Sequence, residues 1–461
     1  MVFLDITMKT ICNLGGDWGW KISICAILFL FVSIGSAEPV SLTGSSGKKV
    51  DFAILKEATP KGITAHMTED GPLMGIPWDK LDLPALKREH PLIYAAYEQS
   101  QAGETIDLQT LSDTSKQPEA TVTDENGRKS TYPGWFDTSV SGVTYLMQMP
   151  VGEPRGVLFV GQGDDGFAST YLLGKDMGTG PWADIQNKYG LAVMTYHFTT
   201  GDRRDPTNNP DFIFAGKGSG AAVLKAINDI AIKSKQESLI DAPIALFGSG
   251  KVGGGFAYNF TQWVPERVMT AVVAKGGFYD QEATEASAKV PMLFIWGEYS
   301  NAHEIWGSEN DAKKVLAENA SLKPNWTSGR EFRGTDMMNL ACEYFAVKYL
   351  ESIIERRIPE KVEKKPEPEP EEGAENAEGA EAKEGEEEEE PEPETPPLPV
   401  FPEIERSKGF VGNVETGEAI KMKDPSAELG EDETFIPQGQ FVTDWKKFVT
   451  GQFRPPPPPG G

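Results

Sequence analysis

Short apolar segments alternate with helical segments between residues 133 and 358, and this alternation constrains the fold more than any other feature of the chain. The segments predicted to be buried strands lie at 142–150, 156–161, 190–198, 242–248, 268–276 and 290–297, with a last one near Glu331. The helical patterns lie at 181–188, 219–235, 254–263, 309–320 and 337–355. Buried strands that alternate with helices indicate a mostly parallel sheet with helices on both faces. Residues 133–358 are therefore predicted to form one α/β domain.

The segments that flank this domain differ from it in composition. Residues 39–99 contain two alternating strand patterns and are predicted to form a small β module, followed by a polar linker at 100–132. Residues 359–400 contain 17 Glu and 4 Lys, which is a net charge of −13 out of the chain's −26, and are predicted to be a disordered insertion. Residues 401–453 regain aromatic residues and are predicted to pack on the α/β domain, ahead of a Pro/Gly tail at 454–461.

The amino terminus has the features of a secretory signal peptide over residues 1–37. Lys21 precedes a 13-residue apolar run at 22–34, and the small residues Gly35, Ser36 and Ala37 follow it. Because a membrane-spanning helix needs about 20 apolar residues, we expect cleavage and no stable membrane span afterwards. The protein is therefore predicted to be exported, whether periplasmic, secreted or at the cell surface. The alternative is an uncleaved signal anchor.

Composition and spacing exclude several classes of partner and cofactor. The chain has 70 Asp and Glu against 44 Lys and Arg, which argues against nucleic acid, because phosphate binding depends on Lys and Arg. No set of Cys and His residues has the spacing of metal ligands, so no metal is predicted. Residues 248–253 fit the dinucleotide pattern G-x-G-x-x-G, but the next strand ends in Lys275 and two glycines instead of an acidic residue. We therefore predict no cofactor.

The passage 245–277 runs from a buried strand through a glycine-rich turn into a helix and a further strand. It resembles the α/β-hydrolase superfamily, in particular its extracellular esterase-like branch, in which a strand is followed by G-x-S-x-G-G, F-A-x-x-F and P-E-R-V. Residues 256–260 and 265–268 match the last two motifs. The resemblance implies an α/β-hydrolase-like sheet. It also implies that residues 248–255 form a nucleophile elbow, the sharp turn that carries the catalytic serine of such enzymes.

The expected nucleophile is missing from this elbow. Counted back from Phe256, the nucleophile position falls on Lys251 or Val252, and Ser249 lies too early in the sequence. The turn nevertheless keeps its glycines, which let neighbouring backbone approach closely. The residues predicted to form the elbow or its pocket are Gly248, Gly250, Lys251, Val252, Gly253 and Gly254.

The other positions that the resemblance assigns to catalysis are also substituted. Ser300 stands where the acid is expected, and Asp336 stands where the histidine is expected. The loop that should stabilise the oxyanion contains Gln162, Asp164 and Asp165, and adjacent carboxylates repel a developing negative charge. Together these losses predict a protein without the usual Ser-His-Asp activity that acts in binding or cell-envelope structure. Its partner would be a small ester-like ligand or an envelope protein.

The sequence leaves two alternative functions open. The first is a secreted serine hydrolase or esterase with a rearranged site, in which Ser249 works with His303 and Glu298, or with His197, because a triad is defined by geometry and not by chain order. The second is an adaptor protein. Residues 47–50 and 76–81 resemble the Sla-one homology domain, a small SH3-like barrel, which implies that this module and the acidic insertion recruit partners.

Overall fold

The computed structural model describes residues 39–68, 71–108, 119–123, 129–161, 181–198, 210–280, 282–300, 308–359 and 399–456. The predicted signal peptide and residues 360–398 of the predicted acidic insertion lie outside these ranges. Within the described ranges, every helix is too short or too polar to cross a lipid bilayer.

A small β region lies at the N-terminal end of the described chain, as predicted. Its elements are β1 (Val40–Thr43), β2 (Lys49–Phe52), β3 (Ile54–Thr59), β4 (Gly62–His66), β5 (Leu73–Pro77), α1 (Leu83–Glu89), α2 (Pro91–Gln101) and β6 (Ile106–Asp107). β1 pairs with β2, whereas the other strands form a separate sheet in the order β5-β4-β3-β6. Asp82 caps the start of α1, because its carboxylate accepts a hydrogen bond of 3.0 Å from the Ala85 backbone. The identification of this region as an SH3-like barrel stays a prediction.

The segment predicted to be a linker, 100–132, contains more regular structure than its polar composition indicates. It includes the end of α2, all of β6, β7 (Glu119–Thr123) and most of β8 (Lys129–Pro133). β7 and β8 form an antiparallel hairpin. The Thr121 backbone donates a hydrogen bond of 2.9 Å to the Asp137 carboxylate, and Ala120 is buried. Ala120 and Val122 alternate with polar residues over only five positions, which is a short apolar pattern within a polar segment.

The central sheet has eight strands, and most of them are parallel. Its elements, with the helices between them, are β9 (Trp135–Val140), β10 (Val143–Gln148), β11 (Gly156–Gly161), α3 (Pro181–Tyr189), β12 (Leu191–Phe198), α4 (Pro210–Ile213), α5 (Ser219–Ser234), β13 (Ile244–Ser249), α6 (Gly250–Trp263), β14 (Val268–Ala274), α7 (Glu285–Ala288), β15 (Met292–Gly297), α8 (Ser308–Glu318), β16 (Trp326–Glu331) and α9 (Leu340–Arg357). The strand order is β16-β15-β14-β13-β11-β12-β10-β9. β11 to β16 run parallel, and β10 is antiparallel to both of its neighbours.

Burial of the inner strands confirms the predicted α/β architecture. Every residue of β11, β12, β13, β14 and β15 is buried. Because successive side chains of a strand point to opposite faces, this pattern requires that both faces of the sheet are covered. The strands and helices predicted between 142 and 355 are all present, with shifts of a few residues at their ends.

The carboxyl ends of the parallel strands lie at one edge of the sheet, and this edge positions the candidate site. Gly161 of β11 is opposite Gly248 of β13, and Ser249 is opposite Ala274 of β14. Gly297 at the end of β15 is opposite Glu331 at the end of β16. The loops that follow these strands therefore start from a common edge.

A C-terminal segment covers the outer edge strand of the sheet. It contains β17 (Phe410–Asn413), β18 (Ala419–Lys421), β19 (Glu433–Ile436) and α10 (Phe441–Val449). The Ser328 backbone N–H donates a hydrogen bond of 2.6 Å to Thr434 Oγ1, and the Ser328 carbonyl accepts one of 2.6 Å from Trp445 Nε1. Both backbone groups of Ser328, on this edge strand, are thus paired by side chains of the C-terminal segment.

Replacing Thr434 with valine should lower the free energy of unfolding. In Thr434→Val the Ser328 N–H keeps its buried position but loses its acceptor, which costs about 1–3 kcal/mol. Thr443 lies on the exposed side of α10 and is the matched control, so Thr443→Val should change the free energy of unfolding by less than about 0.5 kcal/mol. Urea unfolding of both variants and the parent chain measures the difference. Equal losses in the two variants would contradict the assigned role of Thr434.

Candidate functional site

The turn between β13 and α6 has the backbone geometry of an elbow, with Gly250 at its apex. Ser249 is still extended, with φ −129° and ψ 155°, and Gly250 has φ +69°. A positive φ is the conformation that glycine adopts most readily, and here it reverses the chain from strand to helix. Lys251 and Val252, to which the sequence assigned the nucleophile position, both lie in the first turn of α6, and that assignment stays a prediction. The count from Phe256 missed that the helix begins four residues before the predicted start.

Several glycines hold α6 against the ends of β13 and β14, and we call this contact the glycine seam. A Cβ on Gly248 would collide with the Gly253 carbonyl. A Cβ on Gly254 would lie 2.6 Å from the Cα of Gly276, and one on Gly255 would lie 2.6 Å from the Gly277 carbonyl oxygen. Helix and sheet edge therefore meet backbone to backbone, as an elbow requires.

The described residues of the rearranged catalytic set come from separate strands. Ser249 is 1% exposed at the end of β13, and His197 is 5% exposed near the end of β12. β11 lies between these strands, so the strand axes are on the order of 10 Å apart. Glu298 follows β15, and its Oε2 accepts a hydrogen bond of 2.6 Å from the Arg333 backbone. His303 lies outside the described residues.

The residues at the expected acid and base positions both contact the start of α8. The Ser300 side chain is fully buried, and its Oγ accepts a hydrogen bond of 3.2 Å from the Glu309 backbone. Asp336 Oδ1 accepts a hydrogen bond of 2.6 Å from Ser308 Oγ. Ser300 thus satisfies a backbone N–H of the first turn, where such groups lack partners within the helix, and Asp336 accepts from a side chain of the same turn. Gln162, Asp164 and Asp165 of the predicted oxyanion loop lie outside the described residues.

A buried ion pair at the same sheet edge was not predicted from the sequence. Lys275 follows β14 with its side chain fully buried, and its Nζ donates a hydrogen bond of 2.7 Å to Glu331 Oε2. The other Glu331 oxygen accepts a hydrogen bond from Asn339 Nδ2. Asn339 Oδ1 in turn accepts one of 3.0 Å from the Cys342 backbone and caps α9. The sequence signal for this pair was a lysine followed by two glycines directly after an apolar strand. The partner of Lys275, Glu331, lies 56 positions further along the chain.

Burial also removes Cys342 as a reactive group. The side chain is fully buried beside the Lys275–Glu331 pair. This burial raises the pKa of the Cys342 thiol well above its usual range, so the thiolate needed for nucleophilic attack does not form at neutral pH. The described residues contain no cluster of three or more His, Cys, Asp or Glu that could hold a metal ion.

Asn259 of α6 connects the elbow helix to the loops on either side of it. Its Nδ2 donates hydrogen bonds of 3.0 Å to the carbonyls of Ile213 and Phe278, and its Oδ1 accepts one of 3.2 Å from the Asp280 backbone. These bonds satisfy backbone groups that would otherwise be buried without partners. Sequence reasoning treated this residue only as part of a motif and missed its role in positioning the loops.

Among known proteins, similarity to this chain was found only with solved structures. No protein-family model matches the chain, and no curated protein matches its sequence. A thermostable esterase is 14% identical with a TM-score of 0.33, over 46% of this chain and 62% of that one. Dienelactone hydrolase from Anabaena variabilis ATCC 29413 is 14% identical with a TM-score of 0.32, over 48% and 99%. Carboxylesterase from Mesorhizobium loti is 14% identical with a TM-score of 0.35, over 47% and 99%. The described chain has an α/β fold with a mostly parallel sheet and a strand–turn–helix elbow.

Gly254→Ala should destabilise the protein, although alanine is more favourable than glycine in a helix interior by about 1 kcal/mol. The added Cβ would lie 2.6 Å from the Gly276 Cα, and both backbones must shift to accept it. Gly75 is the matched control because a Cβ there meets nothing within 4 Å. Chemical unfolding should show a loss of about 1–3 kcal/mol for Gly254→Ala and much less for Gly75→Ala. A stabilised Gly254→Ala variant would contradict the seam.

Breaking the buried ion pair should have a large effect. Lys275→Met leaves the Glu331 carboxylate buried without its cation, which costs about 3–5 kcal/mol. Lys289→Met, which breaks an exposed pair with Glu403, should cost less than about 1 kcal/mol. The double variant Lys275→Met/Glu331→Gln should regain part of the loss because it buries no charge. Thermal and urea unfolding measure all three, and a Lys275→Met loss no larger than that of Lys289→Met would refute the assignment.

Proposed function

We propose that this is an exported protein with an α/β-hydrolase-like fold that binds a small ester-like ligand or an envelope protein and does not use a Ser-His-Asp triad. The observation that carries the proposal is the apex of the elbow. Gly250 has the positive φ of the turn residue and no side chain. Nucleophilic catalysis needs an oxygen or sulfur at that point, so the turn lacks the reacting atom.

The surroundings of the elbow support the same proposal. Ser249, the nearest hydroxyl in the chain, ends β13 in a buried position. Ser300 and Asp336 are bonded to the first turn of α8. Proton transfer in catalysis needs a base within hydrogen-bond reach of the nucleophile. The hydrogen bonds of Ser300 and Asp336 hold both residues at α8 instead.

Export and the kind of partner are supported by sequence features. A charged residue, a short apolar run and small residues near position 37 favour export. The names of the similar structures include an esterase and a carboxylesterase. An ester-like molecule is therefore our first choice of ligand for a sheet edge that keeps the elbow backbone without its nucleophile.

Ester hydrolysis and active-site labelling test the proposal together. The purified chain should hydrolyse p-nitrophenyl acetate no faster than a heat-inactivated sample. It should also remain unlabelled by a fluorophosphonate probe under conditions that label a commercial esterase completely. Circular dichroism on the same sample establishes that the unlabelled protein is folded.

The same assay separates the proposal from a rearranged serine hydrolase. Labelling of the parent chain that disappears in Ser249→Ala but persists in Ser219→Ala would overturn the proposal and support Ser249 as a nucleophile. Ser219 is the matched control because it begins α5, away from the elbow turn, and bonds the Phe212 carbonyl at 2.8 Å.

A further inference from the structure

A cavity of about 470 Å³ lies between α8, the chain entering β16 and the C-terminal segment. Lys323 and Pro324, which precede β16, line it together with Trp326, the first residue of that strand. The elbow lies at the carboxyl ends of the parallel strands, so this cavity is at the opposite edge of the sheet. Its volume falls within the range of about 300–1,000 Å³ that is usual for small-molecule sites.

Apolar side chains form part of the cavity wall. Trp326, Leu316 and Leu429 come from β16, α8 and the C-terminal segment respectively. Trp326 is 2% exposed, and its Nε1 has no hydrogen-bond partner among the residues that the structure describes. The indole N–H itself is not accessible from the cavity, so the wall offers an apolar surface at this point.

Two of the cations that line the cavity have no carboxylate partner within ion-pair distance among the described residues. The Arg406 guanidinium donates from Nε to the Pro425 carbonyl at 3.0 Å and from Nη1 to the Lys323 carbonyl at 3.1 Å and the Pro324 carbonyl. All of these acceptors are backbone carbonyls, which hold the guanidinium in place without neutralising it. Lys323 is the second such cation.

The remaining charges of the wall are largely compensated. Lys313 pairs with Glu309 at 3.1 Å and with Asp432 at 3.7 Å. Glu433 Oε2 accepts a hydrogen bond of 2.9 Å from the Gly430 backbone. The lining contains four Lys and Arg and two Glu, and Lys313 and Lys314 pair with carboxylates outside it. The two cations without a carboxylate partner, Arg406 and Lys323, favour an anionic group beside them.

We propose that this cavity binds an amphiphile with one anionic group and an apolar body. The acid group would pair with Arg406 and Lys323, and the apolar body would pack on Trp326, Leu316 and Leu429. A neutral or cationic amphiphile would leave the guanidinium without a counter-ion, so the cavity should discriminate by charge.

Fluorescence titration with 1-anilinonaphthalene-8-sulfonate tests the proposal on the full chain. We expect one saturable site, from which decanoate displaces the probe at least about tenfold more effectively than decanol or decyltrimethylammonium. Non-saturable binding, or equal displacement by the three ten-carbon competitors, would overturn the proposal.

Variants locate the bound probe. Ala317 lies on an exposed face of α8 and lines the cavity, so Ala317→Trp should fill it and weaken binding at least about tenfold. Asn310→Trp, on an exposed part of the same helix outside the cavity, should bind as the parent chain does. If Ala317→Trp binds like the parent, or Asn310→Trp loses binding equally, the site is elsewhere and the proposal fails.

Charge reversal supplies an independent variant. Lys314 lines the cavity and its side chain is 73% exposed, so Lys314→Glu should fold and weaken binding of the anionic probe about three- to tenfold. Lys421→Glu, on β18 away from the cavity, is the control and should leave binding unchanged. An equal effect of both reversals would show that only net charge matters and would contradict the site. None of these results depends on whether the elbow has esterase activity.

Discussion

The close approach of α6 to the ends of β13 and β14 is the constraint on which the elbow and its surroundings depend. Gly248, Gly254 and Gly276 remove the side chains that would hold the two backbones apart. This contact sets where the helix lies on the sheet and brings Asn259 to the two loops that it bridges. The backbone of the turn is therefore maintained by packing, and it does not need a catalytic side chain at Gly250 to keep its shape.

The absence of a nucleophile that we propose is compatible with retention of the fold for the same reason. The polar groups at the carboxyl edge mostly bond to one another and to helix termini. Lys275 and Glu331 neutralise each other in the interior, and Ser300 supports α8. Such contacts stabilise a single arrangement of the loops, which suits a surface that recognises a partner.

The pattern of apolar residues predicted the parallel strands well, because both faces of these strands are apolar and polar residues mark their ends. It failed where local signals were weak. The start of α6 was placed four residues late because three consecutive glycines lower helix propensity, and packing overrides that preference. β7 alternates apolar and polar residues over only five positions, and this short pattern lies in a polar segment. The Lys275–Glu331 pair joins residues that only the assembled sheet brings together, and the Trp326 cavity forms between segments that are distant in the chain.

The pairing of Ser328 also sets an order of events during folding. Its two partners, Thr434 and Trp445, lie 106 and 117 positions further along the chain. The sheet can assemble through β16 before these residues have been synthesised, and during that interval its outer strand presents open backbone groups to other chains. The 42 residues with a net charge of −13 are made within that interval. Because like charges repel one another, such a segment would oppose association of copies whose outer strand is still uncovered.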